Sequence, residues 1–275
     1  MDFNSHISNL QKFIPAGSKY PPALTIGLVV FLTFLYLLDF VVPVNDTIAL
    51  SPRALTSIDL NRLSLYPLGH LSIFHLVFNL LAIVTPLSIF ERRHGTVYTG
   101  VVLNLLAVFT ALLYCVLGLV FYPDAKVLGA SAWVFSFSGF FAYKESLIKP
   151  TYTISPSYSL PTIATPLVPI LIIAILVPGS SLLGHLFGLA AGYALAYGVF
   201  TKLVPPSNVI EFIEQKADRL IQLIPSVFVY YREVDAKHIR TQDDYVSVLD
   251  NDVLPVTEEH VPGATFQGQG QVLGV

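Results

Sequence analysis

Long runs of apolar residues, bounded by proline, glycine or charge, alternate with short polar connections through the first 204 residues. A helix needs about 20 mostly apolar residues to cross the hydrocarbon core of a bilayer. Six runs predict spanning helices, at residues 23–42, 66–90, 96–121, 130–143, 160–177 and 181–203. The fourth run is short and is expected to extend to about Leu147, while Pro166 and Pro169 favour a kinked or partly buried fifth helix. The predicted fold is an all-α membrane bundle.

The pattern changes after residue 204. Apolar residues then recur at helical spacing with Glu and Lys between them, namely Ile210, Ile213, Ala217, Leu220, Ile221 and Ile224. They predict an amphipathic juxtamembrane helix within residues 205–231, which lies at the membrane surface or packs under the bundle. Residues 232–275 are polar, acid-rich and aperiodic, so we expect a disordered tail. The predicted organisation is an N-terminal segment at 1–21, a core at 22–204 and these two C-terminal regions.

Composition supports a membrane location and excludes several functions. Hydrophobic residues make up 54% and charged residues 12% of the chain, and the mean hydropathy is +0.67, which is too apolar for a soluble protein of 275 residues. A net charge of -3 and no Lys/Arg run longer than Arg92-Arg93 exclude a nucleic-acid-binding face. Cys115 is the single cysteine, so neither an intrachain disulfide nor a cysteine-based metal site can form. We expect no metal ion and no organic cofactor.

The cations that flank the runs predict their orientation. One side carries Lys12, Lys19, Arg92, Arg93, Lys144, Lys149 and Lys202, and the other carries Arg53, Arg62 and Lys126. Cytosolic loops of membrane proteins hold the excess of Lys and Arg. Both termini, and with them the C-terminal tail, are therefore expected in the cytosol.

Polar side chains inside predicted spans mark a functional site, because they are costly in a bilayer. His70, His75 and Asn79 fall in the second run, Ser131 opens the fourth, and His185 enters the sixth. With the N-terminus in the cytosol, these three helices all begin on the lumenal side, and each polar residue lies in the first half of its helix. We therefore expect the five side chains to converge at one depth.

Serine and histidine together suffice for nucleophilic acyl transfer, because a neighbouring base activates the weakly nucleophilic hydroxyl. Donors for the oxyanion would come from His75, the Asn79 amide and the Ser131 N–H. A lone serine in a membrane helix more often bonds its own backbone, and a lone histidine more often serves packing. The catalytic interpretation therefore depends on finding these polar residues together, at similar depth in three helices. Gly184, Gly188 and Gly192 form a face of small residues on the sixth run, and it is expected to approach the fourth helix closely.

Three motifs follow one another in a specific order. They are His70-x4-His75-x3-Asn79, Gly129-Ala130-Ser131-Ala132 and Gly184-His185-Leu186-Phe187-Gly188. Their order and spacing resemble the rhomboid family of intramembrane serine proteases, and the resemblance covers residues 22–203. It implies a six-helix rhomboid-like bundle that cleaves transmembrane segments of membrane proteins.

The resemblance also implies a role for each residue. Ser131 would be the nucleophile and His185 the general base of a dyad without aspartate, while His75 and Asn79 would serve the oxyanion. Phe135 takes the place of a tyrosine that packs against the catalytic histidine in relatives. The other supporting and packing positions would be His70, Gly129, Gly184, Gly188 and Gly192.

The stretch at residues 63–68 resembles the fungal Golgi branch of the family, which implies a Golgi or endosomal membrane and membrane-tethered transcription factor precursors as clients. Residues 266–273 resemble the SHP box, which binds the valosin-containing AAA ATPase. Phe266 and Leu273 would be its apolar anchors, and Gly268 and Gly270 would let the backbone lie close to the partner. The alternative for this motif is a frayed Gly/Gln-rich terminus.

A second function is compatible with the same resemblance. A derlin-like pseudoprotease would bind membrane clients and recruit the same ATPase without cutting them. Pseudoproteases lack the serine, the histidine or both, whereas Ser131 and His185 are present. A transporter is disfavoured because no inverted repeat is evident.

Overall fold

The computed structural model describes residues 20–155 and 157–241 of the chain. Its helices, numbered in chain order, are α1 (Ala23–Leu38), α2 (Val44–Ile48), α3 (Asn61–Leu65), α4 (Ile73–His94), α5 (Thr96–Phe121), α6 (Ser131–Ser146), α7 (Leu167–Leu176), α8 (Leu182–Ala196), α9 (Ser207–Lys216), α10 (Asp218–Ile221) and α11 (Glu233–Thr241). Single 3-10 turns occur at Pro52–Ala54, Tyr66–Leu68 and Thr162–Ala164. Lys12, Lys19 and the SHP-like motif at 266–273 lie outside the described residues.

Each of the six apolar runs contains one main helix, namely α1, α4, α5, α6, α7 or α8. By length and composition, α4 and α5 are long and apolar enough to cross a membrane, and α1, α7 and α8 are shorter apolar helices. The fifth and sixth runs differ most from the prediction, because α7 has 10 of the 18 predicted residues and α8 has 15 of the 23. Pro166 is the N-cap of α7, and the residues before it form a separate 3-10 turn at Thr162–Ala164. Pro169 lies in the first turn, where a missing N–H removes no helical hydrogen bond.

The second run differs at both ends. Pro67 lies in the 3-10 turn and Gly69 is extended, so α4 begins only after Ser72, whose hydroxyl caps the helix by accepting a hydrogen bond from the backbone N–H of His75. His70, predicted inside this helix, therefore lies in the connection before it. At the other end α4 continues to His94, because Gly95 takes a φ of 91°, which suits glycine and ends the helix.

A β-hairpin makes the all-α prediction wrong in one place. Strands β1 (Thr151–Ser155) and β2 (Tyr158–Pro161) pair antiparallel between α6 and α7. Its first strand alternates Thr with Tyr and Ile, residues that favour strands, and its second strand takes the first two residues of the fifth apolar run, Leu160 and Pro161. Scanning for apolar runs alone does not detect so short a strand pair.

Glu91 connects the first helix to the rest of the bundle. Its fully buried carboxylate accepts hydrogen bonds from Leu24 N at 2.9 Å, Thr25 N at 2.8 Å and Thr25 Oγ1 at 2.8 Å. These are free donors of the first turn of α1, and a negative charge there also complements the helix dipole. Thr96 Oγ1 donates to the same carboxylate at 2.9 Å, so α1, α4 and α5 meet at one side chain.

The amphipathic segment predicted within 205–231 forms two helices, α9 and α10. On α9, Ile210 and Glu214 are buried, whereas Phe212 and Ile213 are exposed. The helix therefore packs on one face and presents an apolar surface on another.

The prediction that disorder begins at residue 232 is wrong for residues 232–241. Helix α11 occupies Glu233–Thr241. Glu233 and Ala236 are buried, and the Arg240 guanidinium forms an ion pair with Glu233 and donates to the carbonyl of His94. Just before α11, Tyr231 exchanges hydrogen bonds with Thr96. Polar side chains, whose abundance predicts disorder, here form hydrogen bonds and an ion pair at the ends of α4 and α5.

Candidate active site

Ser131 and His185 come together at the N-terminal ends of two neighbouring helices. Ser131 is the first residue of α6, and His185 lies in the first turn of α8, where Ser181 Oγ caps the helix by accepting from Gly184 N at 3.0 Å. His185 Nε2 lies 3.2 Å from Ser131 Oγ, which is hydrogen-bond distance. A nucleophile and a base at this distance have the geometry needed for acyl transfer.

Two glycines of α8 allow its close approach to α6. A Cβ added at Gly188 would lie 2.7 Å from the Ala132 carbonyl oxygen, and one at Gly192 would lie 1.9 Å from that of Ser136. A Cβ at Gly184 would instead meet the Ser181 hydroxyl of its own N-cap at 3.0 Å. Two glycines thus form the predicted face of small residues. Gly184 lies outside this face, because its added Cβ would point toward Ser181 and not toward α6.

Gly139 on α6 completes this contact and was missed by the sequence analysis. A Cβ there would lie 2.7 Å from the Leu189 carbonyl oxygen of α8. The available signal was a glycine among large aromatic residues, eight positions after the serine. Gly139 therefore extends the close contact one turn further from the site.

His75 and Asn79 flank the residue two positions before the serine. Both project from α4 toward Gly129, where an added Cβ would lie 2.6 Å from His75 Nε2 and 3.5 Å from Asn79 Nδ2. Gly129 also has a φ of 119°, so glycine is required both for space and for backbone conformation. Within the described part of the chain, Asn79 Nδ2 is buried and has no hydrogen-bond acceptor, which leaves a donor beside the serine.

His70 supports the loop that precedes the serine. Its Nε2 lies 3.4 Å from the backbone nitrogen of Ala130, and its ring is 5.0 Å from that of His75. The Gly129 N–H donates to the Tyr66 carbonyl at 3.0 Å, so the 3-10 turn before α4 also holds this loop. Within residues 20–155 and 157–241, no hydrogen bond joins His70 to Ser131, and His70 contacts the loop before the serine instead.

Phe135 packs against the ring of His185. The two ring centroids are 4.7 Å apart with an interplanar angle of 44°. Among the described residues no group hydrogen-bonds His185 Nδ1, and so no carboxylate orients the imidazole. The ring is held by Phe135 and by its place in the first turn of α8, and the Ser131–His185 pair is a dyad in geometry.

The region around this pair matches a known family. The rhomboid domain matches residues 58–202, which include α4, α6, α8 and the side chains of the candidate site. The chain belongs to the rhomboid family. This rhomboid is a membrane protein and a serine protease of the intramembrane class.

Three relatives of this rhomboid share most of its length, and each is a rhomboid-type serine protease 2. The protein of Saccharomyces cerevisiae is 49% identical over 238 residues, which cover 86% of this chain and 90% of the relative. That of Kluyveromyces lactis is 46% identical over 270 residues, covering 96% and 98%. The Candida albicans protein is 40% identical over 277 residues and covers 97% of each chain.

Proposed function

We propose that this rhomboid is an endopeptidase in which Ser131 is the nucleophile and His185 the general base. The observation that carries the proposal is the 3.2 Å separation of Ser131 Oγ and His185 Nε2 at the meeting of two helix N-termini. Nε2 takes the hydroxyl proton as Oγ attacks the scissile carbonyl, and the proton then passes to the leaving amine. Water completes the cycle by hydrolysing the acyl-enzyme.

The oxyanion of the tetrahedral intermediate needs donors that already point to where its charge develops. In the proposed site these are Asn79 Nδ2, the His75 ring and the Ser131 backbone N–H. The close contacts of Gly129 with His75 and Asn79 support this assignment, because they place both donors next to the nucleophile's loop. For His185 to act as a base, its Nε2 must be unprotonated, so the neutral ring carries its proton on Nδ1.

The dyad is tested by Ser131→Ala and His185→Ala in protein reconstituted with a reporter transmembrane substrate. Each variant is expected to lose cleavage and to keep normal expression. Ser146→Ala is a suitable control, because Ser146 lies at the far end of α6 and its hydroxyl donates to the Tyr143 carbonyl of its own helix at 2.7 Å. Cleavage retained by either dyad variant would contradict the assignment.

The proposed substrates are transmembrane segments of other membrane proteins. A helix hides its carbonyls in internal hydrogen bonds, so the scissile segment must unwind before Ser131 can attack it. Substrates with helix-breaking residues should therefore be cut faster, and membrane-tethered transcription factor precursors are proposed as clients. A reporter whose Gly and Pro are replaced by Leu should be cut more slowly, and an equal rate would argue against unwinding.

The six main helices are proposed to span the membrane, with both termini in the cytosol and the protein in a Golgi or endosomal membrane. The exposed apolar residues Phe212 on α9, Leu220 on α10 and Leu223 just after α10 support placing this segment in the interface of the cytosolic leaflet. An engineered glycosylation sequon at residues 56–58 should be used, whereas one at residues 257–259 should not. The opposite pattern would reverse the proposed orientation.

A derlin-like pseudoprotease is the alternative function. It is disfavoured because both Ser131 and His185 are present and within hydrogen-bond distance. The same variants separate the two functions, since a pseudoprotease would show no cleavage in the unmodified protein.

Binding of the valosin-containing AAA ATPase is proposed for residues 266–273, on the SHP-like sequence alone. Phe266→Ala should abolish pulldown of the ATPase and leave cleavage unchanged. Val256→Ala, an apolar substitution elsewhere in the tail, is the matched control. Unchanged pulldown by the Phe266 variant would refute the motif.

A further inference from the structure

Ser136 lies between the two helices that carry the dyad. It is fully buried, and its hydroxyl oxygen is 2.8 Å from the Ala132 carbonyl of its own helix and 2.8 Å from the Gly188 carbonyl of α8. A serine in a membrane helix usually satisfies its hydroxyl on its own backbone one turn earlier. Ser136 has that acceptor and a second one on the neighbouring helix.

The two acceptors are adjacent to the dyad along the chain. Ala132 directly follows Ser131, and Gly188 comes three residues after His185. The Ser136 hydroxyl therefore contacts the backbone of both helices within one turn of the two reacting side chains. It has a single hydrogen, which it shares between the two carbonyls.

Around Ser136, the contact between α6 and α8 brings backbone directly against backbone. Gly188 and Gly192 lie directly against carbonyl oxygens of Ala132 and Ser136. Carbonyl oxygens of two helices cannot hydrogen-bond one another. A hydrogen-bond donor between α6 and α8 would therefore fix the register of one helix relative to the other. Ser136 supplies such a donor.

We propose that Ser136 is a positioning residue of the protease: its hydroxyl holds α6 and α8 at the separation and register that bring Ser131 Oγ to His185 Nε2. The inference rests on the proposed dyad. A misplacement of about 1 Å in an active site can lower the rate about 100-fold, so loss of this hydrogen bond is expected to affect turnover more than folding.

Ser138 offers a matched control on the same helix. Its hydroxyl donates to the Val134 carbonyl at 2.9 Å, the same one-turn-back hydrogen bond, and no bond to α8 is found for it among the described residues. Ser136→Ala and Ser138→Ala remove the same atoms and one intrahelical hydrogen bond each. They differ in the bond between the helices.

The test uses the full chain, purified and reconstituted, as wild type, Ser136→Ala, Ser138→Ala and Ser131→Ala. The measurements are kcat and KM for the reporter substrate, the rate of Ser131 labelling by a fluorophosphonate, and the Tm. Ser136→Ala is expected to lower both kcat and the labelling rate about tenfold, with unchanged KM and with the Tm of Ser138→Ala. Ser138→Ala should match the wild type in kcat and labelling.

Two results would overturn the positioning role. One is equal kcat and labelling in the Ser136 and Ser138 variants. The other is a loss in Ser136→Ala that only follows the fraction of unfolded protein, which would make the residue merely structural. Cleavage by Ser131→Ala is a different outcome, because it removes the proposed dyad itself.

Discussion

Asn79 places a side-chain amide in the apolar first half of α4, and among the described residues its Nδ2 donates to no acceptor. A buried donor without a partner costs about 1–3 kcal/mol. The proposed chemistry explains this arrangement, because an oxyanion beside Gly129 would supply the missing acceptor only while the reaction proceeds. Stabilisation confined to the transition state is what raises kcat.

We therefore predict that Asn79→Ala lowers kcat about 100-fold, the usual effect of removing one oxyanion donor, and leaves KM unchanged. The Tm should not fall, because the described residues offer the lost Nδ2 group no hydrogen-bond acceptor. Steady-state kinetics and thermal unfolding measure both quantities. Asn104→Ala, which removes an exposed amide on α5, is the control and should behave as the wild type. Full kcat in Asn79→Ala would remove the residue from the oxyanion site.

Residue chemistry was largely predictable, and exact placement was not. The sequence predicts Ser131 and His185 from their motifs and from the cost of polar groups in a membrane. It places His70 in a helix, although the turn at Pro67 and Gly69 delays the start of α4. The first residue of a helix depends on local capping, which the hydropathy pattern does not reveal.

At the scale of elements, the contact between α6 and α8 depends on which glycines face the neighbouring helix. The spacing of small residues identifies the face of α8 but not its rotation relative to α6. Gly184 shares the spacing and still lies against its own N-cap. Likewise, α11 escaped prediction because a polar sequence does not reveal that Arg240 pairs with a buried Glu233.

Gly192→Ala should separate these two helices. The new Cβ would lie 1.9 Å from a backbone oxygen of α6, which a side-chain rotation cannot relieve. Overpacking of this kind costs about 1–3 kcal/mol, so we predict a lower Tm together with reduced cleavage. Gly27→Ala on α1 is the control, because nothing lies within 4 Å of its added Cβ. It should preserve or raise the Tm, since alanine favours a helix by about 0.5–1 kcal/mol over glycine. A tolerated Gly192→Ala would contradict the tight contact.

For the whole molecule, the C-terminal part returns to the bundle. Val229 pairs with Pro21 and with Ala23, the first residue of α1, and Tyr231 pairs with Thr96 at the start of α5. Glu214 on α9 holds the segment that leads into α11, because its carboxylate accepts hydrogen bonds from the Glu233 N–H at 3.0 Å and the Tyr230 hydroxyl at 3.1 Å. Apolar periodicity predicted the main helices, but these long-range polar contacts have no local signature.

Docking of this C-terminal part should depend on pH. Burial raises the pKa of the Glu214 carboxyl, and its hydrogen bonds to Glu233 and Tyr230 only partly oppose the shift. A group whose pKa is raised on folding stabilises the docked state most below the unfolded value of about 4.3, and this stability is lost as pH rises through the raised pKa. Amide hydrogen exchange at residues 229–241, corrected for intrinsic rates, should therefore show protection that falls as the pH rises from about 4.3 through the raised pKa of Glu214. Glu214→Gln should remove the trend, and protection that rises with pH in the wild type would contradict it.

The contacts of α11 also decide how the protein bears mechanical load. Arg240 and Tyr231 hold the chain at the C-terminal end of α4 and the start of α5, whereas His75 and Asn79 lie at the opposite end of α4. A helix of this length measures roughly 30 Å. We therefore expect a pull on the chain beyond Thr241 to load these contacts first. Such a force should detach α11 from the bundle before it displaces Ser131 from His185.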